Sequence, residues 1–307
     1  MKALVTGGAG FLGRYLVREL QTRGIETIAF DTAFPAEDAD AGPGVSVICG
    51  DILDMDCLKA SMKGCDVVIH TAAIADIDEA RAIPVRTMEV NVVGTAKCLQ
   101  AAVDTGVQRF LFASSVYTSG SRGSFYRVSK QAGESLCRSF SEEYALPYTI
   151  LKYGSLYGRD ANHWNFIYNV CKALLADGKF HYSSSPDAVR EFIHIRDAAR
   201  ETIRIAMDPE FANKSVLITG HQRLQMRELF ETIQEILGKK ITITYAPAHE
   251  TRHYVRTPYS FEPEVPLRVN LSTYVDIYEG ILDCFREAAR DLERQERGGT
   301  IQRKRKR

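Results

Sequence analysis

The chain has 307 residues, with 39 Lys and Arg against 39 Asp and Glu and a hydrophobic fraction of 45%. At roughly 150 residues per domain, this length suggests two domains and a sizeable core, and a charged fraction of 25% excludes wholesale disorder. A net charge of zero excludes a protein that binds nucleic acid or membrane surfaces through bulk charge. The last five residues, Arg303 to Arg307, are all basic. Without them the chain carries 34 positive against 39 negative charges, a mildly acidic body with a cationic end.

Seven cysteines (Cys49, Cys57, Cys65, Cys98, Cys137, Cys171 and Cys284) are odd in number and form no C-x-x-C. Most lie in apolar runs, so they read as buried free thiols of a cytoplasmic protein, not as a zinc site or disulfide frame. No apolar run approaches the ~18 residues of a membrane span, and the N-terminus enters a strand at once, without a cleavable leader.

Along the chain, short apolar runs alternate with helical patterns. Strands are predicted at 3–6, 27–30, 45–49, 66–70, 109–113 and 148–152. Helices are predicted over about 11–23, 54–62, 84–105 and 126–144. Continuous apolar strands joined by helical crossovers are parallel neighbours buried on both faces, which makes a doubly wound α/β sheet. After about residue 155 the alternation loosens, with helices near 163–177, 225–237 and 273–295 and a strand at 241–245. The expected division is a cofactor domain at 1–156 and 189–220, a smaller α/β substrate lobe at 157–188 and 221–295, and a disordered basic tail at 296–307.

Gly7-Gly8-Ala9-Gly10-Phe11-Leu12-Gly13 follows the first strand and opens a helix. Glycine lets backbone approach a pyrophosphate closely, and the positive helix end receives it. Asp31 closes the second strand, where a carboxylate accepts hydrogen bonds from adenosine ribose hydroxyls and repels a 2′-phosphate. No Arg adjoins it in sequence, which favours NAD. Tyr126 and Lys130 stand at i, i+4 on one face of a helix. A phenol of pKa about 10 is a poor base at neutral pH, and a neighbouring ammonium would lower it. Tyr126 then serves as the proton acceptor, with Lys130 assisting.

The G-x-x-G-x-x-G spacing, with Ser114-Ser115 and Tyr126-x-x-x-Lys130, resembles the extended short-chain dehydrogenase/reductase family of nucleotide-sugar epimerases and dehydratases, whose fold is the Rossmann sheet. The resemblance implies that Asp51 and Ile52 lie against the adenine, and that Thr71, Ala72 and Ala73, after His70, pass beneath the nicotinamide. It gives Asn91-Val-Val-Gly94-Thr95 a stabilising role. It implies that Ser115, or the adjacent Ser114, holds the reacting oxygen. Tyr153 and Ser155 would sit near the sugar or its phosphates, and Arg190 would clamp the diphosphate unless it is a structural ion pair. His194 reads as a packed histidine. The cluster of His249, Arg252, His253 and Arg256 reads as a base or phosphate contact or an ordinary loop, with no metal. Trp164, Phe166 and Tyr168 read as lobe core.

Two departures stand out. Only 11 positions separate Ser115 from Tyr126, where many relatives carry a longer substrate loop, and Val116 and Tyr117 follow Ser115 where dehydratases and decarboxylating relatives place an acid. The expectation is an NAD-dependent epimerase, inverting C4 of a UDP-sugar through a transient ketone and working as a homodimer. The alternatives are a keto-sugar reductase or dehydrogenase with net redox, and an NAD-sensing regulator without catalysis.

Overall fold

The computed structural model describes residues 1–34, 42–161, 165–221, 223–246 and 253–259. The helix expected at 273–295 and the basic tail lie outside these residues, as do Cys284, Trp164, His249 and Arg252. In chain order the first half runs β1 (Lys2–Thr6), α1 (Phe11–Thr22), β2 (Glu26–Asp31), β3 (Val45–Cys49), α2 (Met55–Met62) and β4 (Val67–His70). Next come α3 (Ile77–Ala82), α4 (Pro84–Met88), a π-helical turn at Glu89–Val93, α5 (Gly94–Thr105), β5 (Arg109–Ser115) and α6 (Ser124–Tyr144). The second half runs β6 (Tyr148–Tyr153), β7 (Ser155–Tyr157), α7 (Phe166–Ala176), β8 (Lys179–Tyr182), β9 (Val189–His194) and α8 (Ile195–Met207). It closes with β10 (Lys214–Ile218), β11 (Arg223–Gln225), α9 (Met226–Leu237) and β12 (Thr242–Tyr245).

Seven strands form one sheet in the order β10-β6-β5-β4-β1-β2-β3, and every pair in it is parallel. Each strand carries apolar side chains to both faces, so two hydrophobic layers sandwich the sheet. Leu16 and Leu20 of α1 and Ile203 of α8 pack with Leu111 and Leu151 on one face. Leu58 of α2 and Leu99 of α5 pack with Phe110 and Phe112 on the other. The strand order reverses between β1 and β4, and a crevice opens there at the carboxyl ends of the strands.

The helix expected over 84–105 runs from Pro84 to Thr105 with one π-helical turn inside it, at Glu89–Val93, where Asn91 is buried; one other predicted boundary moves. Residues 189–194, assigned to the cofactor domain, are a strand that pairs with β7 and β11 in a small separate sheet. The chain rejoins the main sheet only through α8 and β10. The lobe core gathers Val170, Leu174, Tyr182 and Phe230, with Phe166 packed against them as expected, while Tyr168 is exposed. Cys65, Cys98 and Cys137 are buried free thiols, but Cys49 and Cys171 face solvent. No helix among the described residues is long and apolar enough to cross a membrane.

Gly133 of α6 lies so close to β5 that an added Cβ would fall 2.3 Å from the ring of Phe112. Absence of a side chain here lets the helix that carries Tyr126 and Lys130 lie directly on β5. Replacing Gly133 with Ala is expected to destabilise the protein by about 1–3 kcal/mol in urea unfolding, because a rigid ring must move in a packed core. Turnover is expected to fall in the fraction that remains folded.

Candidate active site

The crevice is a cleft of about 680 Å³ lined by the 7–13 turn, the ends of β2 to β6 and the start of α6. Gly7 takes φ +72, and a Cβ on it would lie 2.7 Å from the Ala72 backbone nitrogen. A Cβ on Gly13 would meet the Gly7 carbonyl oxygen at 1.9 Å. The turn closes only with glycine at both places, leaving bare backbone at the start of α1, the cradle a dinucleotide pyrophosphate requires. Asp31 accepts a hydrogen bond from the Ala9 backbone at 3.0 Å and from Thr32 at 2.7 Å, so the acid at the end of β2 also ties down the turn. Asp51 caps its own turn through the Leu53 N–H at 2.9 Å, and Ile52 is buried against Gly94. Phe11, Leu12, Thr71, Ala72 and Ala73 line the cleft as well.

His70 is buried at the end of β4 between two threonine hydroxyls, Thr6 at 2.7 Å and Thr95 at 2.9 Å. Thr95 donates its own proton to the Asn91 carbonyl, so it accepts from His70, while Thr6 donates to the other ring nitrogen. Burial, with Lys130 nearby, pushes the His70 pKa down to about 3, and the ring is a neutral cross-link. Asn91 clamps Ile74, accepting from its N–H at 2.8 Å and donating to its carbonyl at 2.9 Å. The same amide donates to Ser129, the neighbour of Lys130.

Where β5 meets α6, Ser115 and Tyr126 both line the cleft, and the Ser115 hydroxyl favours the charged form of the Tyr126 phenol. Ser114 is committed elsewhere, donating to the buried Glu134 carboxylate at 2.6 Å. Glu134 is held in turn by Lys152 at 3.2 Å and Arg138 at 3.4 Å. Geometry therefore favours Ser115 of the two serines. Lys130 donates to the Ala113 carbonyl at 2.8 Å and lies 5.0 Å from the Phe112 ring centroid. Although Tyr126 is only partly covered, its hydroxyl end is enclosed, and burial pushes its pKa up to about 12 against the opposing Ser115 hydroxyl. The expected lowering by Lys130 is absent in the protein alone; Ser115 alone opposes the desolvation of the phenol.

Two expected substrate contacts are arranged differently. The Tyr153 ring lines the cleft, but its hydroxyl pairs with Thr202 at 2.6 Å in the core. Arg190 is buried outside the cleft lining, donates to the Tyr254 carbonyl at 2.7 Å, and stacks on that tyrosine's ring at 4.4 Å. It braces the chain rather than facing an open phosphate site. Ser155 does line the cleft. His194 caps α8 by accepting from the Arg196 N–H.

Several lining residues had no sequence signal. Arg86 and Glu79 line the cleft, with Arg86 4.0 Å from Asp51 and paired to Glu89 at 3.2 Å. Tyr117 lines it too, and its hydroxyl meets His253 at 2.6 Å. The 253–259 segment packs over the short connection after Ser115 so closely that a Cβ on Gly120 would fall 2.0 Å from the Pro258 oxygen. Among the described residues, no cluster suited to a metal ion is present.

Residues 3–218 match the profile of the NAD dependent epimerase/dehydratase family, so the chain belongs to that family and is an NAD-dependent enzyme. It is 27% identical over 292 residues to the UDP-N-acetyl-alpha-D-glucosaminuronate decarboxylase of Bacillus cytotoxicus, covering 87% of this chain and 88% of that one. It is 26% identical over 281 residues to the UDP-glucose 4-epimerase of Lactobacillus helveticus, covering 80% and 85%. The structure of MoeE5 in complex with UDP-glucuronic acid and NAD superposes with a TM-score of 0.76 at 25% identity, covering 85% of this chain and 90% of that chain.

Burial lowers the Lys130 pKa from 10.5 to about 8. Between those values the unfolded chain holds a proton that the folded one has released, so folding stability rises with pH across that window. In urea unfolding of the ligand-free proteins, the stability of wild type relative to Lys130→Met is expected to rise by at most about 3 kcal/mol from pH 8 to 10.5, over the loss that the buried thiols Cys65, Cys98 and Cys137 impose on both.

Proposed function

We propose that this chain is a nucleotide-sugar 4-epimerase that inverts C4 of a UDP-sugar through a transient ketone. The observation that carries this reading is that Ser115, Tyr126 and Lys130 line one cleft with the 7–13 turn. Ser115 holds the sugar hydroxyl, and Tyr126 removes its proton and later gives it back. When bound, NAD supplies the reversible acceptor for the hydrogen and electron pair that leave C4 and return on the other face. Lys130 keeps a positive charge within the same enclosure, favouring the anionic form of Tyr126 during proton transfer. Val116 and Tyr117 follow Ser115, so the chain lacks an acid where elimination would call for one, and a simple inversion fits better. The relatives that act on UDP-sugars support the substrate class.

A homodimer is part of this proposal. Val93 beside α5 and Phe125, Val128 and Tyr144 on α6 are exposed apolar side chains suited to pairing with a second copy. The free thiols support a reducing cytoplasmic setting.

Incubating the purified protein with a panel of UDP-sugars, without added nicotinamide, is expected to yield the C4 epimer by NMR. Net NADH formation, carbon dioxide release or a dehydrated sugar as product would replace the epimerase reading with a dehydrogenase, decarboxylase or dehydratase. Tyr126→Phe is expected to keep NAD binding and lose about 10²- to 10⁴-fold in turnover.

A further inference from the structure

A second concavity, of about 550 Å³, shares no lining residue with the cleft. Its walls are α1, the loop after β7 and the start of α8, and they carry Arg18, Arg159, Arg196 and Arg200 against Glu19 and Asp160. Glu19 is committed to Arg23 at 2.8 Å. Asp160 alone meets two guanidinium groups, Arg18 at 3.3 Å and Arg159 at 3.6 Å. Arg200 pairs with Asp197 on its own helix, and the Arg196 guanidinium has no hydrogen bond or ion pair among the described residues.

This arrangement opposes the local physics of both helices. Arg14 and Arg18 stand four apart on α1, and Arg196 and Arg200 stand four apart on α8, each a like-charge pair on one helix face. Arg196 also occupies the first turn of α8, where the helix dipole disfavours a cation. The loop that supplies Arg159 is anchored from beneath, since the Tyr15 hydroxyl donates to the Arg159 carbonyl at 2.9 Å and Arg14 donates to the Asp160 carbonyl at 3.3 Å. Asp160 is held there at φ +62, in the left-handed region. The result is a shaped wall with surplus positive charge converging on one space.

We propose that this pocket binds a small phosphorylated ligand with two linked phosphate groups, at a site distinct from the cofactor cleft. Guanidinium groups on the walls give planar, paired hydrogen bonds to phosphate oxygens, and the bound anion offsets the surplus positive charge of the pocket.

The probe is inorganic pyrophosphate, titrated calorimetrically into the full chain saturated with NAD at fixed ionic strength. Binding is expected, weakened at least tenfold in the Arg196→Gln/Arg200→Gln double variant, with NAD affinity unchanged. The variant's ligand-free melting temperature is expected to equal or exceed that of wild type, while the rise on adding pyrophosphate is lost. No binding to the wild type would overturn the proposal, as would equal binding to the variant, which would put the anion in the cleft. Inorganic phosphate binding as tightly as pyrophosphate would overturn the diphosphate assignment.

Discussion

The cleft is organised around the burial of one ammonium group. Lys130 is 4% exposed and has no carboxylate partner among the described residues. A single carbonyl hydrogen bond and the faces of two aromatic rings stand in for lost water, a weak replacement for hydration. Its neighbours conform to that charge. His70 stays neutral and serves as a cross-link, so no second cation forms beside it. Glu134, one turn further along α6, is drawn to Ser114, Lys152 and Arg138. Lys130 thus retains an uncompensated charge beside Tyr126, which is useful where a phenol must pass through its anionic form.

A second constraint follows from the short connection between Ser115 and Tyr126. Too few residues lie there to build a wall over the substrate end, and the 253–259 segment covers the connection instead. It is pinned by the Val255 carbonyl, which accepts from the Val189 N–H at 2.6 Å, and by Arg190 beneath Tyr254. Arg190 is consumed by this task because its guanidinium satisfies backbone carbonyls that would otherwise be buried without donors. Tyr117 lines the cleft with its hydroxyl on His253, a pairing formed across 136 positions of sequence.

How far the sequence could be read follows from the same distinction between local and distant partners. The 7–13 turn and the Tyr126–Lys130 pair are legible because their requirements are local: absent Cβ atoms after a strand, and two side chains on one helix face. The alternation of apolar strands with helices likewise carries the sheet. Arg190, Tyr153 and the strand at 189–194 depend on residues far away in sequence, and a motif cannot show that Tyr254 or Thr202 has already claimed a side chain. The π-helical turn is invisible for a related reason. Residues 84–105 have ordinary helical patterning, and the partners that Asn91 meets there, Ile74 and Ser129, are distant in sequence.

The same stretch links the loop after β4 with α6 and β4. Within five residues of the turn and the start of α5, Asn91 clamps the loop after β4 and reaches Ser129 on α6, Gly94 admits Ile52, and Thr95 fixes His70. Asn91, Gly94 and Thr95 stand at i, i+3 and i+4 and so share one helix face, while the wider turn changes the phase between α4 and α5. Displacement of this stretch would move the loop after β4 and the helix bearing Tyr126 together. The two sides of the cleft are therefore aligned by a segment outside both the 7–13 turn and the Tyr126–Lys130 pair.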